Sequence, residues 1–378
     1  MASLYFHIPF CRQACSYCNF HFSTLMKSYD DTIGAFYKEM ELRKNFPGNH
    51  ADSFDTIYFG GGTPSLLRLD DLRGLFDEMG RFFSFEEKPE VTLEVNPEDV
   101  NKENSRAWYS MGVNRISMGI QSFFEDDLHF LNRCHDSGQV FQAMNYLRQA
   151  GFQNISVDLI LGLPGSRLKK WQQNLEFLFG LDVPHFCAYS LTVEPKTLLN
   201  KQIERGVVTL PDDSEVFDQF QILRDQAINQ GYEHYEISGF AKPGWYSRHN
   251  SSYWQGIPYL GIGPGSHSYD GVKRSWNVAN NYHYIKALRR NELPFEEEKL
   301  SITDRYNEFL LTRLRTAEGF SLKALSHNFG GFYLDYFFEQ ARPYFEKHLL
   351  VRNGDQVYIP GPQLFISDEV ISSLFYVP

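Results

Sequence analysis

Three of the five cysteines in this chain lie close together near its amino terminus. They are Cys11, Cys15 and Cys18, in the pattern C-x3-C-x2-C. A [4Fe–4S] cluster usually takes four thiolates, so three would leave one iron without a protein ligand. An open position on a metal centre admits a substrate or a cofactor, as it does in catalytic zinc sites. The triplet therefore predicts an iron–sulfur cluster that takes part in chemistry.

A zinc ion is the main alternative for the same cysteines. Structural zinc sites take four tetrahedral ligands, and His7 or His21 lies near enough in the sequence to complete a Cys3His set. The remaining cysteines, Cys134 and Cys187, stand alone. A disulfide is disfavoured because clustered cysteines in a reducing cytosol more often serve a metal or catalysis. On the zinc interpretation, the chain would be a zinc-stabilised binding module.

Other residues suited to ligand binding follow predicted strands. The turn GGGTPS at 60–65 can bring the backbone close to a ligand, because consecutive glycines carry no side chains; a plain tight turn is the alternative. Glu94, Gln121 and Asp158 lie at or near the ends of later strands, and Arg133 follows twelve residues after Gln121. Each of these residues alone could be a helix cap or a buried polar side chain whose hydrogen bonds are made within the core. Together, at equivalent strand ends, they predict one pocket.

The elements that must position these residues alternate along the first 235 residues. The predicted strands are 3–8, 54–59, 91–95, 113–118, 155–161 and 185–191. The predicted helices are about 30–44, 67–83, 102–110, 137–149, 168–180 and 213–230. Strands that alternate with helices predict an α/β fold with a parallel sheet. Six units fit an open Rossmann-like sheet or a partial TIM-type barrel, and both place ligands at the carboxyl ends of the strands.

The triplet, the glycine turn and the polar strand ends resemble, in order and position, the radical S-adenosylmethionine (SAM) superfamily. They are most similar to its HemN-like branch, which is named after the oxygen-independent coproporphyrinogen III oxidases. The resemblance implies a partial TIM-type (β/α)6 barrel and a [4Fe–4S] cluster on the three cysteines. It also implies that SAM chelates the fourth iron and is cleaved to a deoxyadenosyl radical. The residues implied at the SAM site are Tyr5, Tyr17, Gly61, Gly62, Thr63, Glu94, Gln121, Arg133 and Asp158.

A second motif, HNSSYW, lies where the strand–helix alternation has stopped. A neutral imidazole can ligate heme iron, and flat aromatic side chains can stack on a porphyrin. A capped loop with a packed tryptophan is the plainer interpretation. The motif resembles the H-N-x-x-Y-W sequence of the HemW heme chaperones, which implies heme binding through His249, Tyr253 and Trp254. His267 is the alternative iron ligand.

The resemblance extends over nearly the whole chain and implies three regions. Residues 1–235 form the radical SAM core, and residues 236–300 form a connecting segment that carries the HNxxYW motif. Residues 301–378 form a smaller HemN-type C-terminal α+β domain that is winged-helix-like. Its helices are followed by the run LVRNGDQVYI, in which Asn353-Gly354 between apolar residues predicts a hairpin.

Two features distinguish the heme chaperones from the oxidases. The HemN-type oxidases carry a further cysteine two residues after the last cluster ligand, where this chain has Phe20. They also extend further ahead of the first strand, whereas ten residues precede Cys11 here. Asn19 stands where the chaperones often have aspartate. The resemblance implies a protein that binds heme and delivers it to cytoplasmic or membrane-associated hemoproteins without oxidising coproporphyrinogen. The oxidase activity, and radical SAM chemistry on an unrelated substrate, are the alternatives.

Composition limits the expected partners and compartment. The chain has 378 residues and a net charge of −11, so nucleic-acid binding is not expected, because a phosphate backbone recruits a basic surface. The sequence contains no apolar run of about 18 residues and no signal-peptide pattern, so a cytoplasmic location is expected. The expected partners are heme, a recipient hemoprotein and an electron donor, with peripheral association to a membrane.

Overall fold

The computed structural model describes residues 1–46 and 53–378. Its strands are β1 (Ala2–Ile8), β2 (Phe54–Gly61), β3 (Phe85–Val95), β4 (Arg115–Gln121), β5 (Asn154–Leu161), β6 (His185–Ser190), β7 (Glu233–His234), β8 (Gly239–Ala241), β9 (Tyr259–Ile262), β10 (His267–Tyr269), β11 (Lys273–Asn277), β12 (Phe295–Lys299), β13 (Phe320–Ser321), β14 (Val351–Asn353) and β15 (Gln356–Tyr358). Its helices are α1 (Tyr29–Leu42), α2 (Leu69–Phe82), α3 (Lys102–Ser110), α4 (Glu125–Phe130), α5 (Ser137–Ala150), α6 (Leu168–Gly180), α7 (Leu198–Glu204), α8 (Asp213–Asn229), α9 (Arg248–Trp254), α10 (Asn281–Leu288), α11 (Ile302–Arg313), α12 (Leu322–Phe329), α13 (Gly331–Glu346) and α14 (Ser367–Ser373).

Strands β1 to β6 are parallel neighbours in chain order, which confirms the predicted α/β class and the partial barrel. A parallel sheet is covered on both faces, so its strands are apolar over most of their length. In β1, for example, Leu4, Phe6 and Ile8 are all buried. Over the described residues the sheet continues beyond these six strands, in the order β12-β11-β10-β9-β1-β2-β3-β4-β5-β6-β8-β7.

The predicted elements agree with the structure to within a few residues, apart from β3, which begins at Phe85 instead of residue 91. Helices α4, α7, α9 and α10 and strands β7 to β13 were missed. Such short segments span too few residues to show a period. Strand β12 is also hard to recognise as a strand, because its sequence FEEEK is rich in glutamate. The strand lies at the edge of the sheet, where charged side chains oppose pairing with a further strand.

The regions after residue 235 continue the sheet and then form a separate small one. Strand β9 pairs in parallel with β1, and β10 to β12 follow it in antiparallel order. Strands β14 and β15 form the predicted hairpin, with Gly354 at a φ of +61° in the turn, and β13 pairs with β15. One buried apolar cluster runs from Ala2 to Leu374. The two predicted domain boundaries remain predictions.

Helix length and hydropathy bear on membrane contact. Within the described part of the chain, no helix is both long enough and apolar enough to cross a bilayer.

Candidate cofactor site

A cavity of about 460 Å³ opens at the carboxyl ends of the parallel strands. This is the edge where a ligand was expected. The sequence-predicted residues that line it are Cys11, Cys15, Cys18, Tyr17, Gly61, Gly62, Thr63, Glu94, Gln121, Arg133 and Asp158. Tyr5 lies deeper, and its ring centroid is 6.1 Å from that of Tyr58 on the neighbouring strand. The structure therefore brings together the cysteines and most of the polar residues selected from the sequence.

The cysteine loop follows β1 and is held in place by hydrogen bonds to other segments. The amide of Cys11 donates to the backbone oxygen of Ser23 at 3.1 Å. The guanidinium of Arg12 donates to Asp99 through Nε at 2.9 Å and Nη2 at 2.7 Å. Ser65, which follows β2, donates to the other oxygen of Asp99 at 2.7 Å. These bonds fix an irregular loop so that its cysteines face the cavity.

The glycine turn after β2 packs directly on the cysteine loop. The amides of Gly62 and Thr63 donate to the backbone oxygens of Ile8 and Phe10 at 2.8 and 2.7 Å. A Cβ atom at Gly62 would lie only 2.6 Å from the Phe10 oxygen and 3.0 Å from the Cys11 Sγ. Glycine is required here because the two backbones approach more closely than a side chain permits.

Two partly buried carboxyl groups, Glu94 and Asp158, line the cavity. Burial raises the pKa of Glu94 to about 7 and the pKa of Asp158 to about 6. Tyr58 donates to Glu94 Oε1 at 2.8 Å. Asp158 Oδ1 is buried and has no hydrogen-bond partner within the described residues. Buried polar atoms are normally paired, so this oxygen is a candidate acceptor for a ligand's donor group.

A single arginine connects the cysteines to the polar wall. Arg133 Nη2 donates to Asn96 Oδ1 at 2.6 Å and to the Gly119 oxygen at 2.8 Å, while Nη1 lies 3.5 Å from Cys15 Sγ. The guanidinium therefore places a fixed positive charge beside the cysteine loop. Gln121 ends β4 with a φ of +64°, and a non-glycine residue in that region often marks a functional site.

Sequence reasoning missed several residues of the cavity wall, among them Asn96, Ser117 and Tyr189. These residues could have been predicted, because residues two apart in a strand point to the same face of the sheet. Asn96 comes two residues after Glu94, and Ser117 precedes Gln121 by two such steps. Following the face of each predicted strand would have found Ser117 and Tyr189, and extending the strand that carries Glu94 would have found Asn96.

Both histidines considered as a fourth zinc ligand have hydrogen-bond partners. His7 Nε2 donates to the backbone oxygen of His21 at 2.7 Å, and its Nδ1 lies 3.3 Å from the Tyr5 hydroxyl. His21 Nε2 lies 2.7 Å from Asn281 Oδ1. Over residues 1–46 and 53–378, no three His, Cys, Asp or Glu side chains are arranged to hold a single metal ion. A Cys3His zinc site would require one of these rings to leave its partner.

The HNSSYW motif forms helix α9 and lies away from the cavity. His249 is 1% exposed, with Nδ1 at 2.7 Å from Thr56 Oγ1 and Nε2 at 3.1 Å from the Tyr253 hydroxyl. Burial lowers the pKa of His249 to about 3, so the ring is neutral. Trp254 closes the same helix and is partly buried. The heme-binding role of these three residues remains a prediction.

The comparisons with known proteins agree with this geometry. The family model of the radical SAM superfamily matches residues 5–178. The heme chaperone HemW of Bacillus subtilis (strain 168) is 32% identical over 376 residues, which cover 99% of each chain. The heme chaperone HemW of Lactococcus lactis subsp. lactis (strain IL1403) is 33% identical over 94% of this chain and 93% of its own. The chain belongs to the HemW family of radical SAM proteins.

A solved structure supports the same fold. The coproporphyrinogen III oxidase HemN from Escherichia coli matches with a TM-score of 0.85, over 99% of this chain and 90% of its own. The two sequences are 20% identical, so the match establishes the shared fold alone. The predicted HemN-like radical SAM architecture is therefore confirmed.

Membership of the HemW family implies a [4Fe–4S] cluster and SAM, and the residues present fit both. Three cysteines on one loop supply three thiolates, which is the donor set for a cluster with one open iron. The unpaired Asp158 Oδ1 and the Glu94 carboxyl supply acceptors for an amino group or ribose hydroxyls, and Arg133 supplies a cation suited to a carboxylate.

We expect SAM affinity in the HemW-family cavity to depend on pH through Glu94. Its pKa of about 7 leaves the group mostly protonated at pH 6 and mostly ionised at pH 8. SAM carries a cationic sulfonium and an amino group, so it should bind the ionised form better, by about tenfold between these pH values if only that form binds. Equilibrium dialysis of cluster-loaded protein measures this. The Glu94→Gln variant should show a flatter profile, and an unchanged slope in that variant would contradict the assignment.

Proposed function

We propose that this protein is a heme chaperone that binds heme and delivers it to a hemoprotein in the cytoplasm or at the membrane surface. The observation that supports this proposal is identity of about a third over almost the entire length of several relatives named as heme chaperones. The HemW of Escherichia coli (strain K12), for example, is 32% identical over 84% of this chain. The proposal includes a recipient hemoprotein, an electron donor for the cluster and peripheral contact with a membrane.

One position at the cavity mouth supports a chaperone over an oxidase. Phe20 is 67% exposed and lines the cavity. HemN-type oxidases resemble this chain around the triplet but carry a cysteine at the corresponding position. An exposed phenyl ring cannot donate a hydrogen atom or ligate a metal as a thiol can. The proposal therefore excludes coproporphyrinogen oxidation.

The proposed cofactor roles rest on the cavity residues. Cys11, Cys15 and Cys18 would hold the [4Fe–4S] cluster, and SAM would occupy the exchangeable position beside Glu94 and Arg133. The bound pair would supply reducing power and a reactive 5′-deoxyadenosyl group, while the protein supplies orientation. Arg133 holds Asn96 and the end of β4 against the cysteine loop, which shapes the cavity from two sides.

The proposed heme ligands lie in α9. His249, Tyr253 and Trp254 remain the candidates, and iron binding at His249 would require its ring to leave Thr56 and Tyr253. His267 offers an exposed alternative on β10, with its ring 6.2 Å from that of Trp276. Partial desolvation of its ring and the Arg274 charge lower the pKa of His267, which favours the neutral, iron-binding form.

Three anaerobic assays on cluster-loaded protein test the proposed function. Titration with heme should give saturable binding and a Soret band shifted from that of free heme. Incubation with SAM, a reductant and coproporphyrinogen III should give no vinyl product. Transfer of bound heme to heme-depleted membranes or apo-hemoproteins should exceed that from heme mixed with bovine serum albumin. Vinyl product, or the absence of saturable heme binding, would overturn the proposal.

A further inference from the structure

The face of the sheet beneath the cavity carries polar residues in ordered rows. Ser3 pairs with Thr56, and Thr56 pairs with Glu90, across β1, β2 and β3. Two residues further along the same strands, Tyr5 pairs with Tyr58. Residues two apart in a strand share a face, so these rows lead from the amino-terminal end of the sheet towards the cavity.

Helix α9 is attached to the first of these rows. Glu90 accepts hydrogen bonds from the amides of Arg248 and His249, at 3.1 and 2.9 Å. The hydroxyls of Ser3 and Ser252 lie 2.7 Å apart. A carboxylate that binds amides in the first turn of a helix stabilises and orients that helix. The HNSSYW helix is therefore fixed at the amino-terminal end of β1 to β3, opposite the cysteine loop.

The His249 ring extends from α9 to the second row. It stacks on Tyr58 with ring centroids 4.8 Å apart and an angle of 28° between the planes. Its two nitrogens lie within hydrogen-bond distance of Thr56 and Tyr253, so the ring cannot turn without losing a partner. A void in place of this ring would leave one face of Tyr58 without packing.

Tyr58 connects this packing to the cavity. Its hydroxyl donates to Glu94 Oε1 at 2.8 Å, and Glu94 lines the cavity. The space around this pair is tight at Gly60, because a Cβ atom there would lie 2.9 Å from the Tyr58 ring and 3.0 Å from Glu94 Oε1. A shift of the phenol ring would therefore be transmitted to the carboxyl group.

We propose that His249 is a positioning residue of the SAM site, which packs beneath Tyr58 so that the Tyr58 hydroxyl keeps the Glu94 carboxyl directed into the cavity. This inference rests on the proposed role of Glu94 in SAM binding and is independent of where heme binds. It gives the first residue of the HNSSYW motif a function in the radical SAM core.

The test is the dissociation constant of SAM, measured anaerobically by equilibrium dialysis on cluster-loaded protein. We expect His249→Ala to weaken SAM binding by about tenfold, the scale of one lost hydrogen bond to a charged group. His249→Phe keeps a flat ring under Tyr58 and should stay within about threefold of the parent chain. Iron content and the absorbance of the cluster should not change. Ser251→Ala on the same helix is the matched control and should bind SAM like the parent.

A double-mutant cycle separates positioning from a general structural effect. Tyr58→Phe removes the hydroxyl and preserves the stack, so it should weaken SAM binding by a similar factor. Adding His249→Ala to Tyr58→Phe should then weaken binding little further, because both act through the same hydrogen bond. If the double variant weakened SAM binding by the product of the two single-variant factors, the proposal would be overturned. Parent-like SAM affinity in His249→Ala, or equal losses in His249→Ala and His249→Phe, would also overturn it.

Heme titration of the same variants keeps the two proposals distinguishable. Weak heme binding by His249→Ala with normal SAM affinity would support the heme role and overturn the positioning role. Normal heme binding with weak SAM affinity would do the reverse. A parent chain that binds heme but no SAM would overturn the positioning proposal while leaving heme binding in place.

Discussion

Replacing Cys15 with alanine should abolish the iron–sulfur cluster while leaving a folded chain. Cys15 is the central cysteine of the triplet, and only two thiolates would remain to hold four irons. The loop itself should persist, because Arg12 and Cys11 anchor it through bonds that do not involve Cys15. We expect iron content after anaerobic reconstitution to fall to less than about a tenth of the parent value. Iron and sulfide analysis, with circular dichroism as a check of folding, measures the effect.

Cys134 provides the matched control for this substitution. It lines the same cavity, is exposed, and lies outside the triplet. Cys134→Ala should therefore load as much iron as the parent. Equal loss of iron in both variants would show that the triplet is not the ligand set.

Replacing Gly62 with alanine should cause the second largest loss. The added Cβ would meet the backbone oxygens of Phe10 and Ile8 at 2.6 and 2.8 Å, and neither oxygen can move freely because each accepts an amide of the glycine turn. Forcing an extra methyl group into such a contact typically costs roughly 1–3 kcal/mol. The strained backbone directly precedes Cys11, so we expect reduced cluster loading together with a lower midpoint of thermal unfolding.

Gly80→Ala tests whether the effect belongs to that position. Gly80 lies inside α2, and a Cβ there meets no atom within 4 Å. Alanine is favoured over glycine in a helix by roughly 0.5–1 kcal/mol, so this variant should load iron normally and unfold no earlier than the parent. If Gly62→Ala also behaved like the parent, the packing of the glycine turn on the cysteine loop would be unnecessary for the cluster.

The parts of the site that the sequence predicted are those encoded locally. The triplet follows β1, and the GGGTPS turn begins with the last two residues of β2. Glu94 is the second-last residue of β3, and Gln121 is the last residue of β4. In a parallel sheet, strand ends on one edge converge, so position in the strand already implied proximity in space. That is why the cysteines and the polar residues could be grouped before their distances were known.

The parts that could not be predicted depend on contacts between distant segments. His249 contacts Thr56 and Tyr58 across nearly two hundred residues of sequence, and β9 pairs with β1 across an even longer separation. The pattern of a short helix shows that one face is buried but not what covers it. The sequence therefore suggested heme chemistry for His249 and gave no sign of its packing beneath the SAM cavity.

The Mössbauer spectrum of anaerobically reconstituted protein, recorded with and without SAM, tests the central claim most directly. The account predicts about four irons per chain in a cubane cluster, with the signal of one iron changed when SAM is added. It also predicts that this change is lost together with the cluster in Cys15→Ala. Uptake of zinc instead of iron would contradict the account. So would a cluster in which SAM changes the Mössbauer signal of none of the four irons.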